Sequence, residues 1–252
     1  MTIATPGTRH PLRRSTDPDR LPTVTLVVPL RPDDGDADWL LGTLPSRVTE
    51  VILGGRTEQG DAEIPHAGLL AATGDYIVVM GADGSMSPRE IPHYLHYLES
   101  GYDFVKGSRF IAGGDFADYP LPRRLGHRAL LRVACRLYGQ HLTDLWYGFC
   151  AFRRGFVELL DLRPDGHELG AELVTHALHY GLRIAEVPSR ELPRRRGPAH
   201  PHTVRDGARI LGTLLDERPH NVLSRIDVLS RLDVRSRLDV RSRIAPAARA
   251  TD

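Results

Sequence analysis

Lysine is nearly missing from this chain: Lys106 is the single one among 33 basic residues, and the others are arginines. An excess of charge of either sign is missing too. The 33 basic and 32 acidic residues leave a net charge of +1, which excludes a global pull towards nucleic acid and makes any anion site a local cluster. Cysteine occurs twice, at Cys135 and Cys150, in apolar surroundings and without metal-type spacing or a disulfide framework. Both read as small core residues of a reducing compartment. No apolar run approaches the roughly 18 residues that a membrane span needs. Arg13 and Arg14 have no apolar stretch behind them, so no secretory signal is expected and the expected location is cytoplasmic.

What is present suits one sizeable core. The chain has 252 residues, 41% hydrophobic and 26% charged. A single α/β domain of about 200 residues with loose ends fits these values best. Residues 1–22 carry Pro, Thr, Arg and Asp without periodicity and are expected to be disordered. From Thr23 onward, strand and helix patterns alternate. Strands are expected at Thr23 to Pro29, Glu50 to Leu53, Tyr76 to Met80 and Phe104 to Val105, with short helices around 38–44 and 66–73 and a longer one over 88–100. That alternation predicts a mostly parallel, doubly wound sheet. Further on, helices are expected from 123 to 138, 168 to 180 and 203 to 215, an aromatic-rich strand from Gly148 to Arg154, and a strand over 183–187. Residues 219–252 form a tail in which a six-residue unit recurs from Ser224 to Ile244. All its apolar positions from Ile226 to Ile244 except Leu229 are even-numbered, so only an extended chain would gather them on one face. The tail is read as a low-complexity extension, with an added edge strand or a surface contact as the other readings.

The stretch Gly74 to Ser85 organises the rest. Five apolar residues, Tyr76 to Met80, lead into Gly81-Ala82-Asp83-Gly84-Ser85. A carboxylate just past the C-terminal end of a buried strand lies where open α/β sheets bind ligands, and Asp83 with Ser85 could hold a divalent cation there against a diphosphate. Asp between glycines is also an ordinary turn former, and both readings stand. Ser87-Pro88-Arg89-Glu90 has the form of a capping box with proline at the first helical position. Arg194-Arg195-Arg196-Gly197 is a basic loop, and arginine in general supplies guanidinium forks suited to phosphate. Asp144, in an acidic turn, reads equally as a catalytic acid or as an Asx-turn residue.

Taken in order, several motifs resemble the inverting GT-A glycosyltransferases of family 2, most nearly the dolichol-phosphate mannose synthase-like branch. They are Ala71 to Asp75, Ala82 to Ser85, Pro88 to Pro92, Phe104 to Phe110, Arg123 to Gly126, Thr143-Asp144 with Tyr147-Gly148, Ala151 to Arg154, and Glu186 to Ser189. The resemblance runs from about Val24 to Arg218 and implies a single Rossmann-like GT-A domain over residues 23–218. It implies transfer of a sugar from a nucleotide-diphosphate donor to a polyprenyl phosphate at a membrane surface, assisted by Mg2+ or Mn2+. Asp83 would touch the metal together with Ser85. Pro29, Asp33, Ala82 and Asp83 would line the donor side, and Arg109, Arg123, Arg124 and Arg196 the acceptor phosphate. Asp83, Asp144 and Arg109 would be the catalytic set. A peripheral position at the cytoplasmic face of the membrane and a membrane-anchored partner protein are further expectations.

The chain also departs from that pattern. Gly81 stands where the family has the first aspartate of its metal pair, Pro32-Asp33 replaces Asn-Glu, and Gly54 to Glu58 replaces an acidic turn. Pro65-His66-Ala67 stands near the family's Lys-Gly, and Pro198-Ala199-His200 replaces the run that follows the glycine of the late loop. The changes gather on the donor side, in the first 81 residues. A non-catalytic relative serving as a partner subunit is therefore the alternative to an active enzyme.

Overall fold

The computed structural model describes residues 2–3, 21–29, 37–54, 64–116, 121–160, 169–195 and 212. Most of 1–22, all of 219–252, Asp33, Arg196 and the helix expected over 203–215, Gly212 apart, lie outside the described residues.

Among the described residues one sheet dominates. Its strands are β1 (Thr2–Ile3), β2 (Val24–Val28), β3 (Val48–Leu53), β4 (Tyr76–Val79), β5 (Phe104–Ser108), β6 (Cys150–Arg153) and β7 (Ile184–Pro188), in the spatial order β1-β3-β2-β4-β6-β5-β7. The helices are α1 (Ala37–Thr43), α2 (Ile64–Ala71), α3 (Ile91–Glu99), α4 (Leu121–Tyr138) and α5 (Leu169–His179). β2, β4 and β5 are buried along their whole length. Strands covered on both faces read as unbroken apolar runs, which is why Val24 to Val28 and Tyr76 to Met80 are so legible.

The pleat sorts each strand into two cores. Val27, Ile77, Val79, Phe104 and Phe152 pack with Leu69, Ala134, Tyr138, Leu173, Val174 and Ala177, residues of α2, α4 and α5. On the other face Leu26, Val28, Val78, Val105 and Ala151 pack with Leu40 of α1 and with Ile91, Tyr94, Leu95 and Leu98 of α3. The sheet is thus doubly wound, as the sequence predicts, with the switch in strand order at β2, whose neighbours are β3 and β4. The crevice beyond the C-terminal ends of β2 and β4 is the expected ligand position in such a sheet.

One strand direction is left open by the sequence, and one local expectation needs correction. β6 runs antiparallel to both β4 and β5 in the middle of an otherwise parallel sheet, a direction that a run of aromatic residues does not reveal. The capping box is not formed. Ser87 makes no side-chain cap bond, Pro88–Glu90 is a 3-10 turn, and the Glu90 carboxylate instead accepts from Ser189 Oγ and, at 3.2 Å, from the Arg190 N–H. A capping glutamate is exposed; this one is held by a chain segment nearly a hundred residues away. Both cysteines are free, with Cys150 buried and Cys135 half-buried. Among the described residues no helix is long and apolar enough to cross a membrane.

Candidate functional site

The turn after β4 carries Asp83. Its Oδ1 accepts from both the N–H of Ser85, at 2.9 Å, and Ser85 Oγ, at 2.6 Å. Gly84 has φ +80°, a conformation that a side chain would strain, and the turn depends on it. Ala82 is fully buried beneath. Asp83 is therefore fixed in direction by its own turn, and Ser85 is spent on orienting it.

A strap from β7 lies over this turn. The N–H of Leu192 donates to the Ser85 carbonyl at 2.8 Å and that of Arg195 to the Asp83 carbonyl at 2.9 Å. Arg194 Nε stands 3.3 Å from Asp83 Oδ2, with the side chains 25% and 11% exposed. The stem of Arg195 lies so close to Gly84 that a Cβ there would sit 2.5 Å from Arg195 Cγ, and its guanidinium covers the Trp39 ring at 4.9 Å. The strap is also fastened upstream, through Glu90 to Ser189 and Arg190, and through Asp115, whose carbonyl accepts from the Glu191 N–H.

Behind the strap lies a cluster of buried charges. Arg109 meets Asp144 twice, Nε to Oδ2 at 2.7 Å and Nη2 to Oδ1 at 3.1 Å, and gives Nη1 to Glu191 Oε2 at 2.9 Å. Asp144 also accepts from its own turn, the N–H groups of Trp146 and Tyr147, and lies 3.8 Å from His127 Nε2. Glu186 of β7 closes the arrangement by accepting from the N–H groups of Thr143 and Asp144 and from Thr143 Oγ1. Lys106 is wholly buried in the same cluster, its Nζ 3.3 Å from the Gly107 carbonyl.

The electrostatics follow from these contacts. Burial alone would raise the Asp144 carboxyl, but Arg109 and Lys106 outweigh it and hold the group well below the carboxylate range. Burial disfavours the Arg109 charge, yet Asp144 and Glu191 keep its pKa above the ordinary value. Burial also pulls Lys106 down, against the opposing pull of Asp144 and Glu186, and pushes the Cys150 thiol up to about 12.

The expected site residues are thus brought together only in part. Asp83, Ala82 and Ser85 share one turn, and Pro29 follows the end of β2, the strand beside β4. Arg109 touches Glu191 while the next strap residue, Leu192, touches Ser85, so the two sides of the site meet at adjacent strap positions. Of the two readings of Asp144 its contacts are those of the Asx turn, and the Arg109 guanidinium is engaged by carboxylates. Arg109 is 3% exposed and directs three donors at two carboxylates, so it is occupied where an open phosphate contact was expected; Asp144 is fully buried and serves its Asx turn. Arg123 lies in the first turn of α4, and the half-buried Arg124 covers the Phe116 ring at 5.2 Å. Arg196, expected at the acceptor phosphate, lies outside the described residues, and from the same basic run Arg194 reaches Asp83. The run itself was the signal, and only the strap's register decides which arginine it delivers. His127 and Glu191 carried no local signal, and Glu186 stood in a quoted motif without a role assigned to it. No cluster of three acidic, histidine or cysteine side chains that could hold a metal occurs among the described residues.

Residues 57–160 match the family model "Glycosyl transferase family 2". The chain is 30% identical over 115 residues to a polyprenol monophosphomannose synthase of Mycolicibacterium smegmatis, covering 44% of this chain and 43% of the relative. It is 28% identical over 166 residues to a dolichol-phosphate mannosyltransferase of Pyrococcus furiosus, covering 64% and 46%. An undecaprenyl-phosphate mannosyltransferase of Micrococcus luteus matches at 29% over 178 residues, covering 68% and 73%. The chain thus spans less than half the length of the first two. Among solved structures, glucosyl-3-phosphoglycerate synthase from Mycobacterium tuberculosis, in its complex with Mn2+ and UDP-glucose, superposes with a TM-score of 0.59 at 17% identity, covering 78% of this chain and 79% of that one. The fold is accordingly that of the GT-A glycosyltransferases.

Proposed function

We propose that this chain, a relative of the family 2 glycosyltransferases, transfers a sugar with inversion from a nucleotide-diphosphate donor to a polyprenyl phosphate. The observation that carries this reading is the Asp83 carboxylate, fixed by Ser85 at the switch point of the sheet and covered by Arg194 and Arg195. The presence of polyprenyl-phosphate mannosyltransferases among the matched relatives supports the acceptor class.

Carboxylate oxygen is a hard donor, and Mg2+ is commonly held by one or two carboxylates together with substrate phosphates. Asp83 fits such an ion as a single-carboxylate ligand, with Ser85 fixing its direction. When bound, the cation would offset the charge of the departing nucleoside diphosphate. Arg194, beside the Asp83 carboxylate, would fork onto the same phosphates. A polyprenyl phosphate is already an anionic nucleophile, so no general base is needed. That agrees with Asp144, which is ionised, buried and saturated with donors. Its pairing with Arg109 holds the 143–147 turn against β5 and, through Glu191, sets the height of the strap. Sequestering the phosphates beneath that strap would also exclude water as a competing acceptor.

The test is calorimetric binding of UDP- and GDP-sugars with and without Mn2+, in wild type and Asp83→Ala, joined to sugar transfer onto polyprenyl phosphate in vesicles. Metal-linked affinity lost in Asp83→Ala supports the reading. A second reading, a non-catalytic partner subunit, is favoured by the single carboxylate being ion-paired already and by Gly81 at the neighbouring position. Absence of both metal-linked nucleotide affinity and transfer would select it.

A further inference from the structure

We propose that Arg194 is the resident counter-charge of Asp83, so that a divalent cation enters this site only together with the donor diphosphate. The inference rests on the reading of Asp83 as the metal ligand and adds an order of events to it. Asp83 has two carboxylate oxygens. Ser85 engages Oδ1 twice, and Arg194 Nε stands 3.3 Å from Oδ2. Gly81 adds no second carboxylate. A free Mn2+ ion arriving alone must therefore displace one cation from the single acid that would hold it, at a half-buried place where charges are poorly screened.

A diphosphate changes the balance. Its oxygens offer Arg194 a better-matched, bidentate partner than one shared carboxylate oxygen, and they supply most of the oxygen ligands a divalent ion wants. Drawing Arg194 from Asp83 onto phosphate frees Oδ2 for the metal. Because linkage is reciprocal, the factor by which nucleotide raises metal affinity equals the factor by which metal raises nucleotide affinity. The exchange needs only the side chain to move. The strap's backbone is pinned separately, by Leu192 on Ser85 and Arg195 on Asp83, so removing the Arg194 charge leaves the strap fastened.

The experiment titrates the intact chain with Mn2+, alone and with saturating UDP or GDP, followed by the paramagnetic resonance of free Mn2+. The variants are Arg194→Gln, Arg194→Lys and Asp83→Asn, with circular dichroism as a check of folding. Wild type is expected to bind Mn2+ alone weakly and roughly tenfold or more tightly with nucleotide, within the usual range of site–site coupling. Arg194→Gln should bind Mn2+ alone more tightly and lose part of the coupling, keeping the part that the phosphate oxygens supply as metal ligands, while Arg194→Lys, which keeps the charge, should stay near wild type. The proposal is overturned if Arg194→Gln binds Mn2+ alone no better than wild type while nucleotide-dependent binding persists and is lost in Asp83→Asn; Asp83 would then remain the metal ligand without a guard. Absence of Mn2+ binding under every condition would overturn the Asp83 reading itself, and the guard with it.

Discussion

Arg109 and Asp144 lie edge to edge in the interior, Nε to Oδ2 at 2.7 Å and Nη2 to Oδ1 at 3.1 Å, with neither side chain more than 3% exposed. The pair joins the end of β5 to the turn before β6, and Glu191 extends it to the strap. Breaking a buried pair from one side leaves an uncompensated charge and typically costs about 3–5 kcal/mol. Arg109→Met is expected to lose stability in that range, seen as a lower urea midpoint at unchanged slope. Arg109→Met combined with Asp144→Leu should recover part of the loss, because Asp144 is then no longer left buried without its guanidinium partner. A single variant as stable as wild type would show that the pair contributes nothing to the fold.

Asp144 also sets an acid limit. Its folded pKa lies below the ordinary carboxylate value, so its contribution is complete above the unfolded pKa of about 3.9 and is lost as pH falls towards the folded value. Glu90 has the opposite sign. Burial raises its pKa, so its contribution is complete below the unfolded value of about 4.3 and is lost as pH rises through the folded value. Urea midpoints between pH 3 and pH 7 should therefore fall steeply with acid below about pH 4 in wild type and less steeply in Asp144→Asn. Glu90→Gln should gain on wild type as pH rises from 4 to 7. An unchanged acid branch in Asp144→Asn would contradict the ionised state assigned to that group.

Lys106 gives the chain a built-in reporter, since it is the single lysine and fully buried. An amine-acylating reagent should label the native protein only at the terminal amine. A second label, located by mass spectrometry at Lys106, should appear only as the protein unfolds, and its midpoint in urea should match that from circular dichroism. Rapid labelling of Lys106 without denaturant would contradict its burial.

How far the sequence could be read depended on how local each signal was. The strand, glycine turn and acid from Tyr76 to Ser85 are contiguous, and the unbroken burial of β2 and β4 follows from runs of mostly β-branched residues. The strap is different. That Glu90 would serve Ser189 and Arg190 rather than its own helix, and that Arg194 would reach Asp83, depends on pairing between segments about a hundred residues apart. Arg109 illustrates the same limit: its residue type suits phosphate and carboxylate alike, and only the folded position of Asp144 selects the second. The antiparallel β6 was hidden because its buried aromatic residues would serve either direction equally well.

Gly81 offers the most direct test of why the site has a single acid. A Cβ built there meets only Asp83, Oδ1 at 3.7 Å and Cγ at 4.0 Å, so the position has room for a side chain beside the carboxylate. Gly81→Asp would restore two carboxylates two residues apart. With a second anionic ligand, the resident guanidinium no longer suffices to neutralise the turn, and a divalent ion gains a place that it need not contest with Arg194. Mn2+ affinity without nucleotide is expected to rise by roughly tenfold over wild type, in line with the dependence of affinity on ligand charge count. Without metal the two like charges should lower the melting temperature, and Mn2+ should restore it. Gly81→Asn adds nearly the same bulk without the charge and should do neither. If Gly81→Asp binds Mn2+ no more tightly than Gly81→Asn, the missing carboxylate is not what limits metal at this turn.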